Sequence, residues 1–381
     1  MKAKFISLPK RWLEAFRKEN KSVKLPAWLG SFSIPIVLDG ISPTRVGMNA
    51  ADKSPFYDSR VETLYGYYSA YQESRARRYR LLYADIVALA DGNMEPALPN
   101  GVNLRDIKVD VKSRLYRIPP DLFAHSQQAI EIFKSTKRLN FKDGEWENND
   151  CFSVSSFQDG LIECQRAKYF DQIGTNITMD WDSGLIKGGS TIRSTIEKNP
   201  KGALPAFQDS CLANTIGTAV MVLNNELRPI VRVRNPNMGS IPHAGLHSSV
   251  SGVLEPSKTM AFGRQTFDVF RPGTEAELLS EMGLHPNEYN LYPVAFAREL
   301  PRGGKPQIFW VAVTNLSDEQ IRDRMAKAEE ASEFVPSDEF DFFQQELDYY
   351  KTVADRFTYE GLAAFLFTEA FIDTNRDKIA G

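Results

Sequence analysis

Cysteine and histidine are scarce in this chain, three and four among 381 residues. Cys151, Cys164 and Cys211 are odd in number and widely spaced, and none belongs to a CxxC pair. A disulfide framework and a structural zinc site are therefore both disfavoured, and free thiols in a reducing, cytoplasmic setting are expected. Of the histidines only His243 and His247 are close, and Pro242 and Gly245 argue against a helix that would align them. There is no GxxxxGK[ST] loop and no GxSxG elbow, so neither a P-loop nucleotide site nor that type of serine nucleophile is expected. No charge of one sign dominates: the formal net charge is −3, which gives no global drive toward nucleic acid or an anionic membrane. No apolar run approaches the roughly 20 residues that span a bilayer, so no membrane partner is expected. Residues 1–16 are basic and amphipathic, without the unbroken apolar centre of a secretory leader.

What is present is an ordinary globular composition, 42% apolar and 25% charged, on a chain long enough for two cores. The reading is α+β: a separate mixed α/β region over residues 1–200, a mixed sheet with flanking helices over 205–325, and a helical tail over 326–381 packing on the body. Apolar spacings of three and four from Val61 to Leu89 predict one long helix over residues 60–90. Pro119-Pro120-Asp121 predicts a second helix to about Ser135. Residues 152–157 and 161–167 read as a hairpin. The Gly/Lys/Pro-rich stretch 184–202 reads as an inter-domain linker or flexible loop. Beyond it, 215–223, 229–234, 293–296 and 308–313 read as strands, the last two joined through Pro301-Arg302-Gly303-Gly304.

Residues 249–284 are the most informative segment. A strand runs into a glycine turn, then an irregular stretch, then Glu-Ala-Glu-Leu-Leu-Ser-Glu-Met-Gly-Leu, a helix ending at a glycine. Glu277 and Glu281 lie four apart, so a helix sets both carboxylates on one side. Arg232 and Arg234, two apart on a strand, share a sheet face; they are either phosphate-facing bases or a solvated polar edge. Arg75, Arg77, Arg78 and Arg80, interleaved with Tyr71, Tyr79 and Tyr83, could contact nucleic acid, but the neighbouring Glu73 and Asp85 favour a solvated helix face.

The segment resembles the box of the Nudix hydrolases, and the resemblance extends over about residues 213–320. The family pattern is Gly, five residues, Glu, seven residues, then Arg-Glu-apolar-any-Glu-Glu-any-Gly-apolar. Gly252, Glu277, Leu278, Glu281, Gly283 and Leu284 fit it. Lys258 stands where the upstream Glu belongs, Ala276 replaces the Arg, Ser280 replaces one acid of the pair, and about ten extra residues fill the gap before the helix. His247 stands where the family often has an aromatic residue. The resemblance implies a nucleotide-like small-molecule partner and Mg²⁺ or Mn²⁺ on Glu277 and Glu281, helped by Glu255, or by Asp268 or Glu275 of the insertion. Arg232, Arg234 and His247 would then contact the ligand. The activity implied is metal-dependent hydrolysis of a phosphoanhydride bond. The missing box residues leave open a non-catalytic nucleotide sensor or a protein-interaction module. Residues 1–200 are the region expected to meet a second copy or a protein partner.

Overall fold

The computed structural model describes residues 56–57, 59–71, 80–88, 104–142, 144–188, 191–197, 201–234, 245–257, 259–329, 350 and 353–379. The fold is α+β, as expected. Its centre is a five-stranded mixed sheet. In chain order the strands are β1 (Tyr83–Ala88), β2 (Lys108–Leu115), β3 (Asp150–Gln158), β4 (Leu161–Lys168), β5 (Gly217–Leu223), β6 (Val250–Val253), β7 (Gly263–Thr266), β8 (Tyr289–Glu299) and β9 (Lys305–Thr314). The central sheet runs β1-β8-β9-β5-β6, with β9 and β5 parallel and the other pairs antiparallel. A second sheet runs β7-β2-β4-β3. The principal helices are α1 (Val61–Tyr67), α2 (Pro120–Ser135), α3 (Arg271–Met282), α4 (Asp318–Met325) and α5 (Tyr359–Ile379).

β5 and β9 are buried along their whole lengths because both faces of the central sheet are covered. Successive side chains alternate between the faces. Ala219, Met221, Phe309 and Val311 join Ala363 and Phe367 of α5 on one side. Val220, Val222, Ile308 and Trp310 join Val109, Phe152 and Ile162 of the second sheet, and Leu278 of α3, on the other. None of the described helices is long and apolar enough to cross a membrane.

Strand pairing crosses the boundary expected near residue 200 in both directions. β1 pairs with β8, Tyr83 opposite Glu299, and β7 pairs with β2, Gly263 opposite Val111. The sheets also touch at one edge, where Phe152 N–H donates to Leu254 C=O at 2.9 Å and Ile216 N–H donates to Phe152 C=O at 2.8 Å.

Two expectations are corrected. The helix over 60–90 is instead α1, a short 3₁₀ turn and, after residues outside the described set, the strand β1. The spacing of Leu82, Ile86 and Leu89 is compatible with a helix, but an open edge on β8 takes Tyr83 and Val87 into the sheet, and tertiary pairing overrides local period. Within the stretch 184–202, expected to be a linker or flexible loop, the described residues 191–197 are instead packed into the body: Ile192 and Arg193 are buried, in the short helix Ile192–Thr195. Arg75, Arg77, Arg78 and Tyr79 lie outside the described residues, as do residues 1–50, His243, Lys258 and 338–349. Tyr83 is buried in the central sheet, where it cannot serve as an exposed stacking platform.

Candidate functional site

α3 begins with Pro272 in its first turn, where no N–H is needed, and ends at Gly283 with φ of 65°. Gly283 N–H donates to Leu279 C=O at 2.9 Å and Leu284 N–H to Leu278 C=O at 3.3 Å. A Cβ at 283 would also lie 2.6 Å from the Arg324 carbonyl oxygen, so the close approach of α4 reinforces the need for glycine. This stop sets the helix phase. Thr274, Leu278, Glu281 and Met282 face inward, and Glu277 lies half-buried one turn before Glu281. The Glu277 carboxylate rests on Gly252 of β6, where a Cβ would overlap it. The buried Glu281 carboxylate accepts from Ser251 N–H at 3.3 Å.

Arg232 and Arg234 keep their period of two but reach different depths. The Arg232 guanidinium is tied to backbone, donating to Ser249 C=O and Glu281 C=O, both at 3.2 Å. Arg234 donates to the Ser251 hydroxyl at 3.1 Å and lines a cleft. His247 is buried behind it. Its Nδ1 is hydrogen-bonded to the Thr358 hydroxyl at 2.6 Å and its Nε2 to the Ser251 hydroxyl at 3.1 Å. Neither Arg232 nor His247 lines the cleft.

The cleft has a volume of about 550 Å³. One wall is the strand–loop–helix segment, with Gly252, Glu255, Ala276, Glu277, Ser280 and Glu281. The other comes from the first half of the chain, with Arg138, Asn140, Glu147, Asn149, Tyr169 and Gln172. Asn149 joins the two walls by donating to the Glu255 carboxylate at 2.7 Å. Burial pushes that carboxyl above the usual range, against the Asn149 hydrogen bond.

The ligand set expected for Mg²⁺ or Mn²⁺ is not assembled. Among the described residues no three His, Cys, Asp or Glu side chains come together as a metal-ligand group. Glu255 is engaged by Asn149. Asp268 and Glu275 face Arg271 at 3.7 and 3.8 Å and do not line the cleft. Glu277 and Glu281 remain as two carboxylates on one wall.

The cleft's floor was not singled out on sequence grounds. It is built by Arg302, Lys305 and Gln307 of the β8–β9 hairpin and by Glu360 in the first turn of α5. Just behind them Glu299 takes the Lys305 ammonium at 3.1 Å, the Arg302 guanidinium at 3.3 Å and the Tyr359 hydroxyl at 3.0 Å. Gln307 donates to Glu360 at 3.1 Å. The Arg302 guanidinium lies over the Tyr57 and Tyr359 rings, 5.2 and 5.8 Å from their centroids. Burial pushes the Lys305 amine below its ordinary range while Glu299 pulls it back, and burial followed by Glu299 pushes the Glu360 carboxyl up.

The hairpin turn is gripped from the first half of the chain. Arg193, in the supposed linker, is ion-paired with Asp180 at 2.7 Å and donates to Leu300 C=O at 3.1 Å and Pro301 C=O at 2.5 Å. Asn176 donates to Arg302 C=O at 2.9 Å and to the Asn214 side chain at 3.1 Å. Gly303 and Gly304 both take positive φ, as a tight turn demands. The turn's basic residues are visible in sequence, but only these distant clamps aim them inward. No family model matches the chain and no curated protein matches it, so the resemblance over 213–320 rests on its own residues.

Proposed function

We propose that the cleft binds a nucleotide or a nucleoside-diphosphate derivative within a Nudix-like frame. The observation that carries this reading is convergence. Glu255, Glu277, Glu281 and Arg234, singled out along the sequence, line one cavity of about 550 Å³, within the size range of small-molecule sites. Its two walls come from both halves of the chain, so residues 138–172 serve as part of the site. Recognition without turnover is the first reading, because the carboxylates do not close into a metal set. Hydrolysis of a phosphoanhydride bond is the second, favoured by Glu277 and Glu281 lying on the same wall.

Thermal unfolding with ADP, a nucleoside-diphosphate sugar and a dinucleotide tests the reading, each with and without Mg²⁺ or Mn²⁺. A hundredfold excess over the dissociation constant should stabilise the protein by about 2.7 kcal/mol. Ala276→Trp, at an exposed position on the cleft wall, should abolish that gain and leave the unliganded melting temperature nearly unchanged. Stabilisation that survives Ala276→Trp would move the ligand elsewhere, and none by any compound would end the nucleotide reading. Product release lost in Glu277→Gln/Glu281→Gln would establish the hydrolase.

A further inference from the structure

Ser251 sits on β6 and lines the cleft, and its hydroxyl is one end of a chain of hydrogen bonds that runs into the protein. His247 Nε2 lies 3.1 Å from Ser251 Oγ, and His247 Nδ1 lies 2.6 Å from Thr358 Oγ1. Thr358 precedes α5, and its hydroxyl also accepts from Gly361 N–H at 2.9 Å. Thr358 N–H donates to Leu246 C=O at 2.9 Å, so the start of α5 is fastened beside the histidine. A Cβ at Gly361 would lie 2.6 Å from His247 Cα, so the helix presses directly on that residue. Arg234 donates to the same Ser251 hydroxyl at 3.1 Å. A guanidinium only donates, so of these two partners Nε2 is the one that accepts the Ser251 proton. The imidazole's own proton then lies on Nδ1, shared with Thr358. A serine bonded to the bare nitrogen of a histidine, whose other nitrogen is oriented by a third group, is the arrangement of an activated nucleophile. The Glu360 carboxyl stands 3.9 Å from Nε2 and becomes the partner of the imidazolium that proton transfer creates.

We infer that Ser251 is a nucleophile and His247 its general base, oriented by Thr358, for attack on the phosphorus of a phosphoanhydride. The inference rests on the nucleotide reading of the cleft and supplies a nucleophile for its second form, hydrolysis. The burial of His247 behind Ser251, out of the cleft, decides between electrophiles. In acyl transfer the same base must also hand a proton to the leaving group. Displacement at phosphorus is in line, so the leaving group departs on the side away from Oγ, and a phosphate leaves as its own oxyanion. A base that reaches only Oγ is enough. In the first step the Oγ–P bond forms, the Oγ proton passes to Nε2, and the bridging P–O bond breaks to free a phosphate monoester. In the second, water attacks the phosphorus from the vacated side and loses its protons to solvent, while Ser251 Oγ leaves and takes back the proton from Nε2. The sum is hydrolysis of the anhydride to a pair of phosphate monoesters.

The test exposes the full chain to a small fluorophosphonate, whose phosphorus bonds to a serine oxygen and releases fluoride, and maps the adduct by peptide mass spectrometry. Ser251 should be labelled, and faster than Ser280, which lines the same cleft but donates to Glu277 C=O at 3.2 Å. His247→Gln should slow the labelling of Ser251 by about a hundredfold or more. Thr358→Val should slow it too, and Thr358→Ser, which keeps the hydroxyl, should restore it, while the rate at Ser280 follows neither change. If His247→Gln does not fold, the Thr358 pair decides, and a rate indifferent to the hydroxyl overturns the dyad. So does labelling of Ser251 that is no faster than that of Ser280, that is unchanged in His247→Gln, or that does not occur. The same reaction is then run with ADP, a nucleoside-diphosphate sugar or a dinucleotide present. Protection of Ser251 would support both the nucleophile and the nucleotide reading. Labelling that none of them slows would keep the nucleophile and end the nucleotide reading. Thermal stabilisation by one of them with Ser251 inert would end the nucleophile and keep the cleft reading.

Discussion

The α3 wall and the hairpin floor face the same cleft and are held in opposite ways. On α3, Glu277 and Ser280 are half-buried and Leu279 is exposed, and the Glu277 carboxylate lies on the surface of Gly252. The hairpin turn is enclosed. Leu300, Pro301 and Arg302 offer their carbonyls to Arg193 and Asn176, and the Arg298 guanidinium donates to Gly304 C=O at 3.3 Å. The comparison separates adaptability from preorganisation: the wall can shift a side chain at small cost, whereas Arg302 and Lys305 are braced by Glu299 and their turn by Arg193 and Asn176.

The largest expected effect comes from cutting the clamp on the turn. Arg193→Met leaves Asp180 without its guanidinium partner and two turn carbonyls without their donor, and should cost about 3–5 kcal/mol. Urea unfolding at neutral pH measures it; a loss below about 1 kcal/mol would mean the turn holds itself and the contrast with α3 is false.

Support for the turn reaches back to His125 on α2, bonded to Ser183 at 2.8 Å and to Thr178 at 3.1 Å; the next residue, Met179, packs on Gly303. Burial lowers the His125 pKa from 6.5 to about 4. A depressed folded-state value means the stability it contributes is complete above about pH 6.5 and is lost as pH falls through about 4, about 3 kcal/mol in all. Denaturant unfolding at pH 7 and pH 4 should show that loss in the native chain and a shallower one in His125→Gln; equal slopes would release His125 from the support.

One methyl group compares the two regions directly. In Gly217→Ala the new Cβ would meet the buried Gln307 side chain and lie 2.5 Å from Lys305 Nζ. Its expected cost is about 2 kcal/mol, within the range for overpacking. In Gly252→Ala the new Cβ meets the end of the Glu277 side chain. That end can swing toward solvent, so the cost should stay at or below about 1 kcal/mol. Melting temperatures of the two variants rank them. A reversed order would make the α3 wall the rigid side.

The sequence reading succeeded where the signal was short in range. The α3 helix, its glycine stop and the hairpin at 152–167 follow from patterns within a dozen residues, because side-chain period and turn chemistry are local. The site was half legible. Glu277, Glu281, Glu255 and Arg234 do line one cleft, but Arg232 stops short of it on two backbone carbonyls. A period of two places both arginines on one face and says nothing of where along it the cleft begins. Arg302 and Lys305 read only as parts of a turn because a Gly-Gly hairpin tip ordinarily faces water.

The sequence by itself determined an α+β protein, the strand–loop–helix segment and the carboxylates it carries, since these depend on neighbours a few residues apart. Only the tertiary structure decided that β1 completes the central sheet, that the insertion before α3 feeds β7 into the second sheet, and that Arg302 and Lys305 line the cleft floor. The physical reason is distance along the chain. The contacts that turn the floor inward join residues 107 and 126 positions apart, Arg193 to Leu300 and Asn176 to Arg302. No local pattern encodes an encounter that the collapse of both sheets onto one core creates.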